Sequence, residues 1–272
     1  NPQIVNGLQT SSQIAAYFDQ DGVIADDRML MVKIVTSEDE EITDKIIKAT
    51  NSQNSVPPAS LRATDKIQRD IEHALKSKGL FYDRRKNFYK NQGKSAAKIV
   101  SIPLLAQALM TLLRAEPDNA RARPSSLIKK DDVYQSLFAE THPLDAYSTA
   151  ALLIKKVEIQ LKKRSELTSR DRNNLRFYVL YWTAGWEAKS VKLSAGKIAK
   201  IKMENIVDQN IDAAIDIVRD LFVKAGGSDQ VAKGADFKTI LDTNLQDQIV
   251  EFFAAKKEAE ALLTPSPSPG AP

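Results

Sequence analysis

The chain has 272 residues, 43% hydrophobic and 27% charged, the composition of a soluble globular protein with one large or two modest domains. It contains no Cys and only two His, His73 and His142, which excludes disulfides, thiolate metal sites and Cys nucleophiles and leaves little for a His-based zinc site or a Ser-His-Asp triad. The 39 basic and 35 acidic residues leave a net charge of +4, too little to indicate nucleic acid unless the charges cluster.

In chain order, the first informative stretch is residues 2–14. Ile4 and Val5 read as the end of a short strand, Asn6-Gly7 is a turn dipeptide that tolerates positive φ, and Thr10 with Gln13 fits a capping box opening a helix at about residues 11–19. A helix N-terminus presents unpaired N–H groups and the positive end of its dipole, and a Gly lets a phosphate come close. Gln9, Thr10, Ser11 and Ser12 would line such a pocket with neutral donors and acceptors. The alternative is a well-capped strand-to-helix turn and nothing more.

A polar loop then leads to Met29-Leu30-Met31-Val32-Lys33-Ile34-Val35, whose alternation predicts a strand with Leu30, Val32 and Ile34 on one face. Ser37 to Glu40 reads as a second capping box, opening a helix with Ile42, Ile46 and Ile47 on one side. That helix runs out in the polar segment 49–58, which ends in a proline pair. Because the chain starts with Asn inside an expected strand, we expect a fragment whose N-terminal part, with partner strands for residues 3–5, lies ahead of it; two strands alone make a marginal sheet.

From residue 61 the pattern is almost entirely helical. Ile67, Ile71 and Leu75 share a face before Gly79; Ser101 caps a helix with periodic Leu105, Leu109 and Leu112; a short helical piece holds Val133, Tyr134, Leu137 and Phe138. Residues 144–161 read as one helix. The segment 175–182, apolar nearly all round, is expected at the centre of the core, its aromatics packed rather than offered to bases. Ile211, Ala214, Ile215, Val218, Leu221 and Phe222 form one amphipathic stripe, and Phe237, Ile240, Leu241, Leu245, Ile249, Phe252 and Phe253 another, both expected as core. The tail 264–272 alternates Pro with small residues and is expected to be disordered.

Basic residues cluster twice. In 84–94, Arg84, Arg85, Lys86, Lys90 and Lys94 interleave with Phe88 and Tyr89, as in a surface that combines phosphate contacts with stacking. The run 155–164, with Val157 and Leu161 four apart, reads as a solvated helix face. Asp26-Asp27 falls in the loop before the second expected strand, and the acidic residues at 38–41 and 131–132 fall at helix starts, where the dipole explains them. No acidic-x-Lys nuclease motif and no phosphate-binding Gly-x-x-x-x-Gly-Lys loop is present, which speaks against a self-sufficient nuclease or P-loop ATPase. No stretch approaches the roughly 20 apolar residues of a membrane span, and no secretory leader opens the sequence. A cytoplasmic protein with no membrane partner is expected.

The spaced pair Ile4-Val5-Asn6-Gly7-Leu8-Gln9-Thr10 and Ala49-Thr50-Asn51-Ser52-Gln53-Asn54-Ser55-Val56 resembles the abortive infection phage resistance (AIPR) family. Tyr82-Asp83-Arg84-Arg85, the segments 102–108 and 116–121, and Val133-Tyr134-Gln135-Ser136-Leu137-Phe138 agree with it, so that the resemblance spans residues 3–165. The same order of elements also resembles ParB-like proteins with an Asp-Gly-Gln-His-Arg type of motif, some of which handle nucleotides. Asn6 stands where that motif has Asp, and Thr10 where it has Arg. A hydroxyl does not replace a bidentate guanidinium, nor an amide a carboxylate that acts as a base or holds Mg²⁺.

These resemblances imply an α+β, mostly α protein: a small N-terminal α/β module at 1–60, the truncated remnant of a ParB-like fold, then an α-helical domain at 61–263 and the tail at 264–272. They imply an anti-phage defence protein of the abortive infection type. A nucleotide or nucleic-acid phosphate would sit at the Gly7 turn, held by Asn6, Gln9, Thr10 and Ser11, with Asn51, Gln53 and Asn54 reading base or sugar edges and Arg84 and Arg85 supplying positive charge. The cofactor to consider is a nucleoside triphosphate with Mg²⁺, and the reaction, were the chain an enzyme, nucleotide hydrolysis. The rivals are a non-catalytic helical scaffold for a partner defence protein and a DNA-binding regulator.

Overall fold

The computed structural model describes residues 4, 7–19, 29–36, 39, 42, 45–46, 62–122 and 128–263. The chain divides into two compact units, Asn1–Thr64 and Asp65–Pro272.

In the first unit, helix α1 spans Leu8–Phe18, with Gly7 as its N-cap. The helix thus starts three residues earlier than the expected capping box: Thr10 lies inside the first turn, and Gly7 accepts the first intrahelical bond, from Ser11 N at 2.9 Å. Residues 29–36 are irregular, and the face expected to be buried is open, with Leu30, Val32 and Ile34 exposed at 59%, 67% and 83%. Alternation alone does not make a strand. It also needs a neighbour to complete its ladder and a layer to cover its apolar face, and the described residues of this unit include no strand. Ile42, Lys45 and Ile46 are helical as expected. There the Asp39 carboxylate accepts from Ile42 N at 3.4 Å, while Ser37, the expected cap, lies outside the described residues.

The second unit begins with α2, Lys66–Ser77, which buries Ile67, Ile71 and Leu75 and stops at Gly79, whose φ of 76° suits a residue without Cβ. It then departs from the all-helical expectation. Strands β1, Phe81–Asp83, and β2, Ile99–Ser101, pair in parallel with Tyr82 opposite Val100. Parallel neighbours need a crossover; here residues 84–98 form it, with the short helix α3, Phe88–Asn91, and a 3₁₀ turn, Ala96–Lys98. Three-residue strands leave no period long enough to read in the sequence.

Beyond β2 the helices are α4, Ile102–Leu113; α5, Pro117–Ala122; α6, Asp131–Leu137; α7, Leu144–Lys163; α8, Ser169–Ala188; α9, Ala195–Ala199; α10, Asp208–Lys224; α11, Asp229–Lys233; and α12, Ala235–Leu263. The expected helices thus form, with the short α5, α9 and α11 in addition. Ser101 caps α4 by accepting from Leu104 N, and Thr168 with Asp171 forms a capping box on α8. The central position of α8 is as expected: it packs on α4, α7, α10 and α12, with Phe177, Tyr178 and Leu180 fully buried. Along α12 the apolar stripe holds through Phe237, Leu241, Leu245 and Ile249, but Ile240, Phe252 and Phe253 are exposed. No helix among the described residues is long and apolar enough to cross a membrane.

Candidate functional site

Two places bear the residues singled out from the sequence, one in each unit. At the Gly7 turn, the backbone adopts φ 84°, ψ 17°, and a Cβ built there would meet nothing within 4 Å. The glycine is thus required by the backbone and not by crowding. With Gly7 as N-cap, the N–H groups of Leu8, Gln9 and Thr10 precede the first intrahelical bond. Gln9 and Thr10 are exposed, and the first turn holds no acidic residue to compete for those donors. Ser11 is committed differently, because its N–H and its hydroxyl both donate to Gly7 O, at 2.9 and 3.1 Å. Asn6, Asn51, Gln53 and Asn54 lie outside the described residues.

The second place is built from α2 and the crossover. Tyr82, fully buried on β1, donates to Gln68 Oε1 at 2.5 Å; Gln68 Nε2 donates to Tyr134 Oη at 3.0 Å, and that hydroxyl donates to Asp65 at 2.8 Å. Every member of this inner chain has a partner, as burial demands. Burial pushes the Tyr82 phenol well above its ordinary value. Beside it, Asp83 accepts from Asn87 N at 2.7 Å and Tyr89 N at 3.1 Å, so its carboxylate fixes the first turn of the crossover. Glu72 accepts from Arg84 Nε at 2.6 Å and from Tyr89 Oη at 2.8 Å. Burial, then the hydrogen bond to Glu72, raises the Tyr89 phenol to about 12.

Tyr82-Asp83-Arg84-Arg85 therefore divides by role. Tyr82 and Asp83 organise the turn, Arg84 is ion-paired and only 22% exposed, and Arg85 stands in solvent. The unit that holds Arg84 and Arg85 is not the unit that holds Gly7.

The other basic run is a solvated face only in part: Lys162 and Lys163 are exposed, but the rest is taken up by the fold. Lys155 is buried and donates to Glu158 at 2.8 Å and to Ala96 O at 3.1 Å; Lys156 reaches Ile206 O at 2.7 Å. Arg164 meets Asp212 at 3.4 Å and Asp216 at 3.0 Å, and Lys163 meets Asp208 at 2.9 Å. Burial alone would push the Glu158 carboxyl up; Lys155 and Arg176 outweigh it and hold it below its ordinary value. The sequence held a signal for this pairing, the acidic stripe Asp208, Asp212 and Asp216 at spacing four on α10.

A family model described as AIPR protein matches residues 1–254. The chain belongs to the AIPR family. Membership supports anti-phage defence of the abortive infection type as the class of function. No curated protein and no solved structure matches the chain. Two segments through which the AIPR resemblance was read now have a physical meaning in this AIPR chain. Tyr82–Arg85 and Val133–Phe138 meet through Gln68, which bridges the Tyr82 and Tyr134 hydroxyls. Among the described residues no group of three acidic or His side chains is placed to hold a metal ion.

Proposed function

We propose that this AIPR chain acts in abortive infection by holding a phosphate of a nucleotide or nucleic acid at the Gly7 turn. The observation that supports this reading is the N-terminus of α1, where a glycine at positive φ leaves room for a Cβ and exposed Gln9 and Thr10 flank the donors of a first turn that holds no acidic residue. The donors in question are the N–H groups of Leu8, Gln9 and Thr10 and the Thr10 hydroxyl, since Ser11 is turned back onto Gly7 O. Asn6 would close the turn, and Asn51, Gln53 and Asn54 would meet base or sugar edges, for which amides that both donate and accept are suited. With Asn6 and Thr10 in place of charged groups, the reading is recognition rather than hydrolysis.

Thermal unfolding of the whole chain against nucleoside triphosphates, with and without Mg²⁺, tests it. A ligand at a hundred times its dissociation constant stabilises by about 2.7 kcal/mol. A shift seen for wild type and lost in Gln9→Ala with Asn51→Ala is the expected result. No shift with any nucleotide, together with a large loss of stability from the two substitutions alone, would mean that the amides tie loops together and bind nothing.

A further inference from the structure

The β1–β2 crossover has a charge pattern unlike the rest of the second unit. No acidic residue occurs between Asp83 and Glu116, while Arg84, Arg85, Lys86, Lys90, Lys94 and Lys98 fall within residues 84–98. Arg84 is neutralised by Glu72. The other five are exposed and, among the described residues, make no ion pair. Across a groove of about 290 Å³, lined by Ala97, Lys155, Glu158, Ile159, Lys162 and Lys163, stands Lys162, also exposed and, among the described residues, without an ion pair.

These cations are held in place rather than loose. Asp83 fixes the start of the crossover through Asn87 N and Tyr89 N, and Lys155 fixes its end through Ala96 O. Among the cations, Phe88 is 45% exposed and touches Tyr89 edge-on at 5.0 Å, and Lys94 stands 5.2 Å from the Phe81 ring. An exposed ring between Lys86 and Lys90 suits an unpaired base, which has a free face to stack; a duplex base does not. An anionic membrane would call for several apolar side chains beside the cations, and in 84–98 Phe88 is the one large hydrophobic side chain that is exposed.

We propose that the crossover 84–98, with Lys162 across the groove, is a docking surface for single-stranded nucleic acid, its phosphates along Arg85, Lys86, Lys90, Lys94 and Lys98 and a base on Phe88. This goes beyond the Gly7 reading and does not depend on it.

Fluorescence anisotropy of the whole chain with labelled oligo(U) and oligo(dT) of about 16 nucleotides, titrated at several salt concentrations, tests it. Five phosphate contacts give a slope of log K against log salt of about −3.5. Lys90→Gln with Lys94→Gln should flatten the slope by about 1.4. Phe88→Ala should weaken binding about tenfold at unchanged slope. A preference for either oligomer identifies the sugar and supports the assignment. Binding that polyglutamate or anionic vesicles displace as readily as an unlabelled oligomer, or that a duplex of equal length matches without regard to Phe88, would overturn it. So would absence of binding at low salt. Binding lost in Gln9→Ala with Asn51→Ala but kept in the crossover variants would overturn it too, by assigning the strand to the Gly7 turn.

Discussion

The two basic runs of this chain look alike on paper, yet the fold puts them to opposite uses. In 155–164, Lys155, Lys156, Lys163 and Arg164 are taken up by carboxylates and carbonyls of α7, α10 and the segments that lead to them. In 84–98, one cation is taken up and five remain in solvent. The difference lies in what faces each run. Helix α10 lays Asp208, Asp212 and Asp216 along α7, whereas the crossover rises from a two-stranded sheet and is tied to α7 at its far end, where Lys155 reaches Ala96. A count of Lys and Arg thus says little about available charge until the acidic partners are placed.

The sharpest way to break this comparison is to remove the counter-ion of the buried run. Glu158→Ala strands Lys155, whose side chain is only 10% exposed, and should destabilise by about 3 kcal/mol in urea unfolding. The same carboxyl sets a pH dependence. Its folded value lies below the ordinary 4.5, so its contribution is present above that pH and is lost as pH falls below 4.5 through the folded value. Acid titration of stability should show this loss in wild type, and Glu158→Gln should lack it; an unchanged acid profile would refute the ion triad with Lys155 and Arg176.

Next in size is the support beneath the crossover. Gln68→Leu leaves the Tyr82 and Tyr134 hydroxyls without their shared partner and should cost about 2 kcal/mol. Asp83→Asn keeps the shape of the side chain but weakens the acceptor for Asn87 N and Tyr89 N, for about 1 kcal/mol. It should also lower oligonucleotide affinity without removing a cation, as expected of a positioning residue. The smallest effect belongs to the open run. Arg85→Gln and Lys90→Gln should change stability by less than about 0.5 kcal/mol, since neither makes an ion pair among the described residues; a loss comparable to that of Glu158→Ala would show that they are structural after all.

Much of the helical architecture was legible without coordinates, because long amphipathic segments advertise their period. The cap at Ser101, the core positions Ile71, Leu105 and Tyr178, and the central place of α8 all follow from local pattern and burial. Short or partner-dependent elements were not legible. Phe81–Asp83 and Ile99–Ser101 are too brief to show alternation, while residues 29–35, which show it well, stay irregular and exposed. At the candidate sites the residue types were visible but their roles were not. Arg84 and Arg85 are neighbours of the same chemistry, yet Glu72 pairs with Arg84 and Arg85 stands in solvent. Lys98 lies beyond the run 84–94 and Lys162 within the run 155–164, and only their placement in space relates them to the crossover.

By itself the sequence determined the helical periods, their caps, the absence of thiol chemistry and, through spaced Asn, Gln and Tyr motifs, the AIPR family. These depend on residues within a few positions of one another, where the periods of helix and strand and the chemistry of caps apply. Only the tertiary structure decided which cations are neutralised, which polar groups are buried together and where a parallel pair of strands forces a crossover. Those outcomes depend on contacts between segments far apart in the chain, as when Gln68 joins Tyr82 to Tyr134, and no local pattern contains them.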